Sequence, residues 1–191
     1  MKDSEWAYLA GIFDGEGCFL LNWYNQINEG LSCRPTIRVA MYKGEKKLLD
    51  ELRSNFGGMV KIYPSSRNVA EWMLWSKENI RYVINGVIKY LRIKPRQAEV
   101  LLEAIAIMDK SINRFPRVRT RDEWLALAQL TDELTSLHGG DRRPRKWNYR
   151  AIKEHLDKTG VGSQERIAKG LHKFIDAGRA TRFTRTPGTP K

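Results

Sequence analysis

Polar side chains suited to reading base edges recur at alternate positions along two stretches of the chain. Asn22, Tyr24 and Gln26 share one parity, and Arg34, Thr36 and Arg38 share another. In an extended chain alternate side chains fall on one face, so each set lines one side of a strand. Further on, Lys61, Tyr63, Glu71 and Met73 oppose Val60, Ile62, Trp72 and Leu74 in the same way. Asn, Gln, Arg, Lys and Thr are the side chains that hydrogen-bond base edges in the major groove. A merely solvated sheet face would carry more acids, and here only Glu71 is acidic. A second chemical feature is Glu16, which stands between Gly15 and Gly17 where a helical stretch runs out. The C-terminal end of a helix is its negative end, so a carboxylate there is unfavourable by itself.

The elements that must position these groups can be read from periodicity. Residues 4–15 predict a helix with Trp6, Leu9, Ile12 and Phe13 on a bulky arc. Ala7, Ala10, Gly11 and Asp14 fall on the opposite, unusually small arc. Small residues let another backbone approach closely, so this helix is expected to pack against something beyond its own domain. Strand-like runs follow at Cys18–Gln26 and Arg34–Tyr42, joined by Asn28-Glu29-Gly30. Glu45–Phe56 is helical, and Met59–Tyr63 with Val69–Trp75 reads as a hairpin across Pro64-Ser65-Ser66. Ser76 can cap a helix carrying Ile80, Val83, Ile84 and Val87, and Pro95 opens another. Thr120 and Glu123 form a capping box before Trp124. The order is α-ββ-α-ββ-α-α-α, an α+β plan with an antiparallel sheet. A strand of nine residues at about 3.3 Å each spans roughly 30 Å, or about nine base steps.

Composition narrows the function classes. The 191 residues carry a formal charge of +12, which suggests a polyanionic partner, nucleic acid ahead of an anionic membrane. Residues 141–191 hold 14 basic and 5 acidic side chains, so most of the surplus lies there. Gly139-Gly140 marks the boundary, giving a core at 1–138 and a basic helical extension and tail at 139–191. That extension is expected to add phosphate contacts. No apolar run is long enough to span a membrane, and the acidic start does not resemble a signal peptide. Cys18 and Cys33 form neither a disulfide framework nor a CxxC knuckle, which suits a reducing compartment. His138, His155 and His172 lack HExxH spacing, which argues against a zinc hydrolase.

Leu9-Ala10-Gly11-Ile12-Phe13-Asp14-Gly15-Glu16-Gly17 resembles the signature of the LAGLIDADG homing endonucleases. Tyr90-Leu91-Arg92-Ile93-Lys94-Pro95-Arg96-Gln97-Ala98 resembles the lysine-containing stretch that enters that family's next helix. The resemblance covers roughly residues 4–137. It implies an αββαββα core with a saddle-shaped antiparallel β-sheet, followed here by C-terminal helices and a basic tail. One motif implies a homodimer whose motif helices meet through Ala7, Ala10, Gly11 and Asp14, on a palindromic or near-palindromic double-stranded DNA site. It further implies divalent metal at Glu16 and the Gly15 carbonyl, with Mg²⁺ as the cofactor, Mn²⁺ as a substitute, and Ca²⁺ bound without cleavage. Lys94 matches the family's basic residue near the metal and is expected to be catalytic beside Glu16, stabilising the transition state or orienting water, and Asp14 would give structural or outer-shell support. Arg67, in the second hairpin's turn, joins the strand residues named above as a candidate DNA contact. The family often places a polar residue near the end of the second strand to hold water, where this chain has Met41, Tyr42 and Lys43. The implied activity is a double-strand break at a specific DNA site. The alternative is a non-cleaving DNA- or RNA-binding protein on the same fold, such as an intron maturase or regulator.

Overall fold

A computed structural model describes residues 1–26, 30–63, 68–112, 119–139 and 146–161. The expected helix at 163–177, the basic tail and Arg67 lie outside the described residues. The chain runs α1 (Asp3–Glu16), β1 (Gly17–Gln26), β2 (Gly30–Tyr42), α2 (Lys46–Phe56), β3 (Met59–Ile62) and β4 (Val69–Leu74). It continues through α3 (Lys77–Val87), α4 (Pro95–Ile112), α5 (Arg121–Leu137) and α6 (Tyr149–Thr159). The sheet is antiparallel with strand order β1-β2-β4-β3. This is the α+β fold with the element order expected from the sequence.

Start and stop signals act as their chemistry requires. Ser76 accepts a hydrogen bond from the Asn79 N–H at the start of α3, Pro95 is the first residue of α4, and Thr120 with Glu123 closes a capping box on α5. β2 begins four residues earlier than its sequence suggests, and Pro35 lies inside it. Proline lacks an N–H for the ladder. Residues 30–36 have only β1 beside them, since pairing with β4 begins at Ile37, so no bond to β4 is lost.

One face of the sheet carries the core. Phe19, Leu21, Ile37, Trp72 and Leu74 are fully buried there, against Phe13 of α1, Leu49 and Leu52 of α2, Ile80 and Ile84 of α3, and Leu101 and Ile105 of α4. The register puts Asn22 opposite Arg34, Leu20 opposite Thr36, Arg38 opposite Met73, and Lys61 opposite Glu71, all on the other face. Ile152 and Leu156 of α6 are also buried in the core. Cys33 is buried, and burial pushes its thiol well above the ordinary range, so it stays a protonated core side chain.

α1 is fixed on the core by Trp6, whose ring packs against Phe56 (5.9 Å, stacked) and Tyr82 (5.5 Å, edge-on), which also touch each other at 6.2 Å. Gly86 of α3 makes room for that ring, since a Cβ there would meet it at 2.5 Å. Alanine in a helix interior is ordinarily better than glycine by about 0.5–1 kcal/mol. Overpacking costs about 1–3 kcal/mol, and a ring packed against two others on the core cannot move aside cheaply. Gly86→Ala should therefore destabilise the fold in urea unfolding; equal or higher stability would contradict this packing.

Candidate nucleic-acid and metal site

The functional side chains gather where α1 ends and β1 begins. α1 stops at Gly17, whose backbone is extended (φ −79°, ψ 151°) rather than left-handed. Glycine is needed there for closeness, because a Cβ would lie 2.6 Å from the Phe13 carbonyl oxygen. The Phe13 carbonyl accepts from the Gly17 N–H and also from Lys94 Nζ at 3.0 Å. Lys94 Nζ also donates to the Gly17 carbonyl at 2.8 Å and lies 3.5 Å from that of Gly15. A positive charge at the last carbonyls offsets the negative end of the helix. Lys94 thus holds the end of α1.

Asp14 returns the interaction. Its carboxylate accepts the N–H groups of Arg92 (2.7 Å), Ile93 (3.2 Å) and Lys94 (3.0 Å), leading into α4. These are orphan donors of the kind a helix start presents, and an anion is favoured beside them. Asp14 is therefore spent within the chain. Glu16, two residues on, is exposed and makes no hydrogen bond or ion pair among the described residues.

The face of α1 that stays open differs from the one expected. Ala10 is fully buried among Trp6, Leu9 and Phe13, so it belongs to the core and not to an outer surface. Asp14 faces the turn at 92–94. The exposed face consists of Ser4, Ala7, Tyr8, Gly11 and Gly15. A Cβ at Gly11 or Gly15 would meet nothing within 4 Å, so this stripe is open to an approaching partner.

On the open sheet face the candidate readers hold one another. Asn22 donates to the Thr36 hydroxyl at 2.9 Å, and Thr36 is only 5% exposed, which makes it a support for Asn22 more than a contact of its own. Arg38 lies 3.6 Å from Glu71, which also accepts from the Tyr63 hydroxyl at 3.0 Å. Arg34 stacks over Tyr24 and Lys61 over Tyr63, with cation-to-ring distances of 5.5 and 4.6 Å. Met73 is half-buried between these residues, and of Gln26 only the backbone is described. Met41 packs against the core, so at this end β2 offers Ala40 and Tyr42 to the open face, and of these only Tyr42 is polar. One contact has no sequence signal: the Cys18 thiol meets His138 Nε2 at 3.1 Å, tying β1 to the end of α5.

The donors fit a hard divalent cation. Glu16 offers carboxylate oxygens and Gly15 a carbonyl, the oxygen ligands Mg²⁺ prefers, and Mg²⁺ sites usually take one or two carboxylates plus substrate phosphate. Among the described residues no cluster of three or more His, Cys, Asp or Glu could hold a metal within one protomer. A cation here would draw its remaining ligands from phosphate, water or a second chain.

Residues 9–103 match the family model described as LAGLIDADG endonuclease. That match, on a chain with this motif and this fold, places the αββαββα core in the LAGLIDADG endonuclease family. The homing endonuclease I-CvuI, solved with a DNA target, is similar at 20% identity and a TM-score of 0.69, covering 83% of this chain and 96% of that one. The archaeal intron-encoded homing endonuclease I-Vdi141I, complexed with DNA, is similar at 18% identity and a TM-score of 0.66, covering 85% and 100%. I-SmaMI, bound to an uncleaved DNA target, is similar at 17% identity and a TM-score of 0.58, but 83% of this chain covers only 49% of it. No functionally curated protein matches the sequence.

Removing the Asp14 carboxylate should loosen the joint between α1 and α4. Three N–H groups then lose a charged acceptor, and water replaces part of it because Arg92 and Ile93 are exposed. Asp14→Ala is expected to cost about 1–3 kcal/mol in denaturant unfolding. A change within about 0.5 kcal/mol, the usual scale of a surface substitution, would mean that Asp14 does not brace the turn.

Proposed function

We propose that this protein is a site-specific DNA endonuclease that acts as a homodimer and makes a double-strand break in a palindromic or near-palindromic site. The observation that carries the reading is Glu16: an exposed carboxylate at the end of α1, without a partner among the described residues, beside a sheet face rich in Arg, Lys, Asn and Tyr. Lys94 already offsets the negative end of α1 at its last carbonyls, so the Glu16 carboxylate is available to a cation from outside the chain. Its neighbours Asp14 and Lys94 are both used to fix the backbone around it, which is the arrangement a positioned ligand needs.

Each residue then has a separate task. The open sheet face lies along the major groove, where Asn22, Arg34, Arg38 and Lys61 contact base edges and Tyr24 and Tyr63 support the cations stacked on them. The Arg38–Glu71 pair is half-exposed and worth little by itself, so Arg38 can exchange Glu71 for guanine. Glu16 and the Gly15 carbonyl hold Mg²⁺, or Mn²⁺ in its place, at the scissile phosphate. When bound, such a cation activates water and neutralises charge on the phosphate and leaving oxygen. Lys94, expected to be catalytic, is better read as a positioning residue, because its ammonium is engaged by the carbonyls of Phe13 and Gly17 and lies near that of Gly15, on either side of Glu16.

The need for a second chain has its own support. The fold covers the whole of I-Vdi141I but about half of I-SmaMI, so this chain supplies one unit that spans about half of the longer protein. The open stripe through Gly11 and Gly15 is where two such units would meet, each bringing one Glu16.

Glu16→Gln tests the reading, since it keeps the shape and removes the negative charge. On a site selected from a randomised palindromic library, binding in Ca²⁺ should persist. Mg²⁺-dependent cleavage should fall by at least about 10³-fold, on the scale of losing about 4 kcal/mol of transition-state stabilisation. Cleavage near the wild-type rate would remove Glu16 from the metal site, and a wild-type protein that binds but never cuts would favour a non-cleaving regulator.

A further inference from the structure

Asn22 stands on the open sheet face with part of its hydrogen-bonding capacity already committed. Its amide nitrogen donates to the Thr36 hydroxyl at 2.9 Å. The bond runs diagonally across β1 and β2, because Asn22 is paired with Arg34 and Thr36 with Leu20. Thr36 is buried, so the bond is sheltered from water at that end, whereas Asn22 itself is half-buried. A primary amide has two N–H donors and one carbonyl acceptor. With one N–H taken by Thr36, one N–H and the carbonyl oxygen remain, side by side on the other edge of the amide.

A donor beside an acceptor discriminates among bases. Adenine presents N7 as an acceptor and N6 as a donor in the major groove, and the remaining edge of Asn22 satisfies both at once. Guanine presents two acceptors there, N7 and O6, so one of them would face the amide oxygen. An asparagine free of Thr36 could instead turn both N–H groups toward guanine. We infer that Asn22 selects adenine in each half-site and that Thr36 is the positioning residue that enforces the choice, which rests on the site-specific DNA reading above and specifies one base of the target. The place of that base follows from the register. Arg38 is opposite Cys18, close to Glu16, and Asn22 lies four residues further along β1. At about 3.3 Å per residue this is about 13 Å, or about four base steps. The adenine therefore lies about four base pairs farther from the centre of the site than the base that Arg38 reads.

Selection by the full-length protein from a randomised palindromic library in Ca²⁺, with sequencing of the bound sites, reads this base directly. Wild type should prefer adenine to guanine by about fivefold or more at one position of each half-site, and Asn22→Ala should identify that position by losing the preference. Thr36→Val keeps the branched shape and removes the hydroxyl, so it should relax the same position toward guanine and leave the others as they were. Thr36→Ser, which keeps the hydroxyl, should retain adenine. Arg38→Ala should relax a different position, nearer the centre. The wild-type and Asn22→Ala selections decide the base even if Thr36→Val does not fold. Another base at the Asn22 position, a folded Thr36→Val protein with unchanged preference there, or an Arg38 position farther out would overturn the assignment and leave a site-specific protein standing. A selection that returns no preferred site would overturn both.

Discussion

The end of α1 and the turn at 92–94 hold each other through opposite charges. Asp14 accepts three successive N–H groups from the turn, and Lys94 returns its ammonium to the carbonyls of Phe13 and Gly17. Each charge meets the helix end that favours it: an anion faces donors that lead into α4, and a cation faces acceptors that end α1. Nothing local to either segment could supply this. The partners are about eighty residues apart in sequence, and their meeting depends on the packing of Trp6, Phe13 and the buried faces of α3 and α4.

From this joint the remainder of the site follows. With Asp14 and Lys94 committed to backbone, Glu16 is left as a carboxylate without a partner among the described residues, and its position is set by groups on both sides of it. Gly17 permits a turn tight enough for β1 to leave directly beneath the helix end, so the open sheet face begins beside Glu16. A single carboxylate with neighbouring carbonyls is an incomplete cation site, and that incompleteness suits a protein whose missing ligands arrive with phosphate and a second protomer. The family membership and the fold agree with this arrangement; the cation, the dimer and the cleavage are the proposals built on it.

Much of the fold was legible in the sequence, because alternation and capping are local. Ile37 and Val39 point into the core and Arg34 and Arg38 away from it, as the period of two requires. Thr120 and Glu123 form their reciprocal cap, and Pro95 opens its helix. The failures are instructive because each involves a long-range partner. Ala10 is small, and size alone does not say whether a helix position stays open or is covered, as Ala10 is, once α3 and the sheet pack on α1. Thr36 shares a face with Arg38 yet is covered, since Asn22 leans across the strand pair to bond it. Arg38 has a partner in Glu71 only because β2 and β4 are neighbours, which no spacing within either strand reveals. Met41 points into the core because the sheet register, and not its place near the strand end, decides its side.

The most direct test of the central claim is a crystal structure of the protein with its selected DNA site and Ca²⁺. The account predicts two copies related by a two-fold axis, with both Glu16 carboxylates and Gly15 carbonyls ligating cations at the scissile phosphates and Lys94 still bonded to the end of α1. A complex in which DNA lies along the sheet while Glu16 remains remote from any cation or phosphate would contradict it.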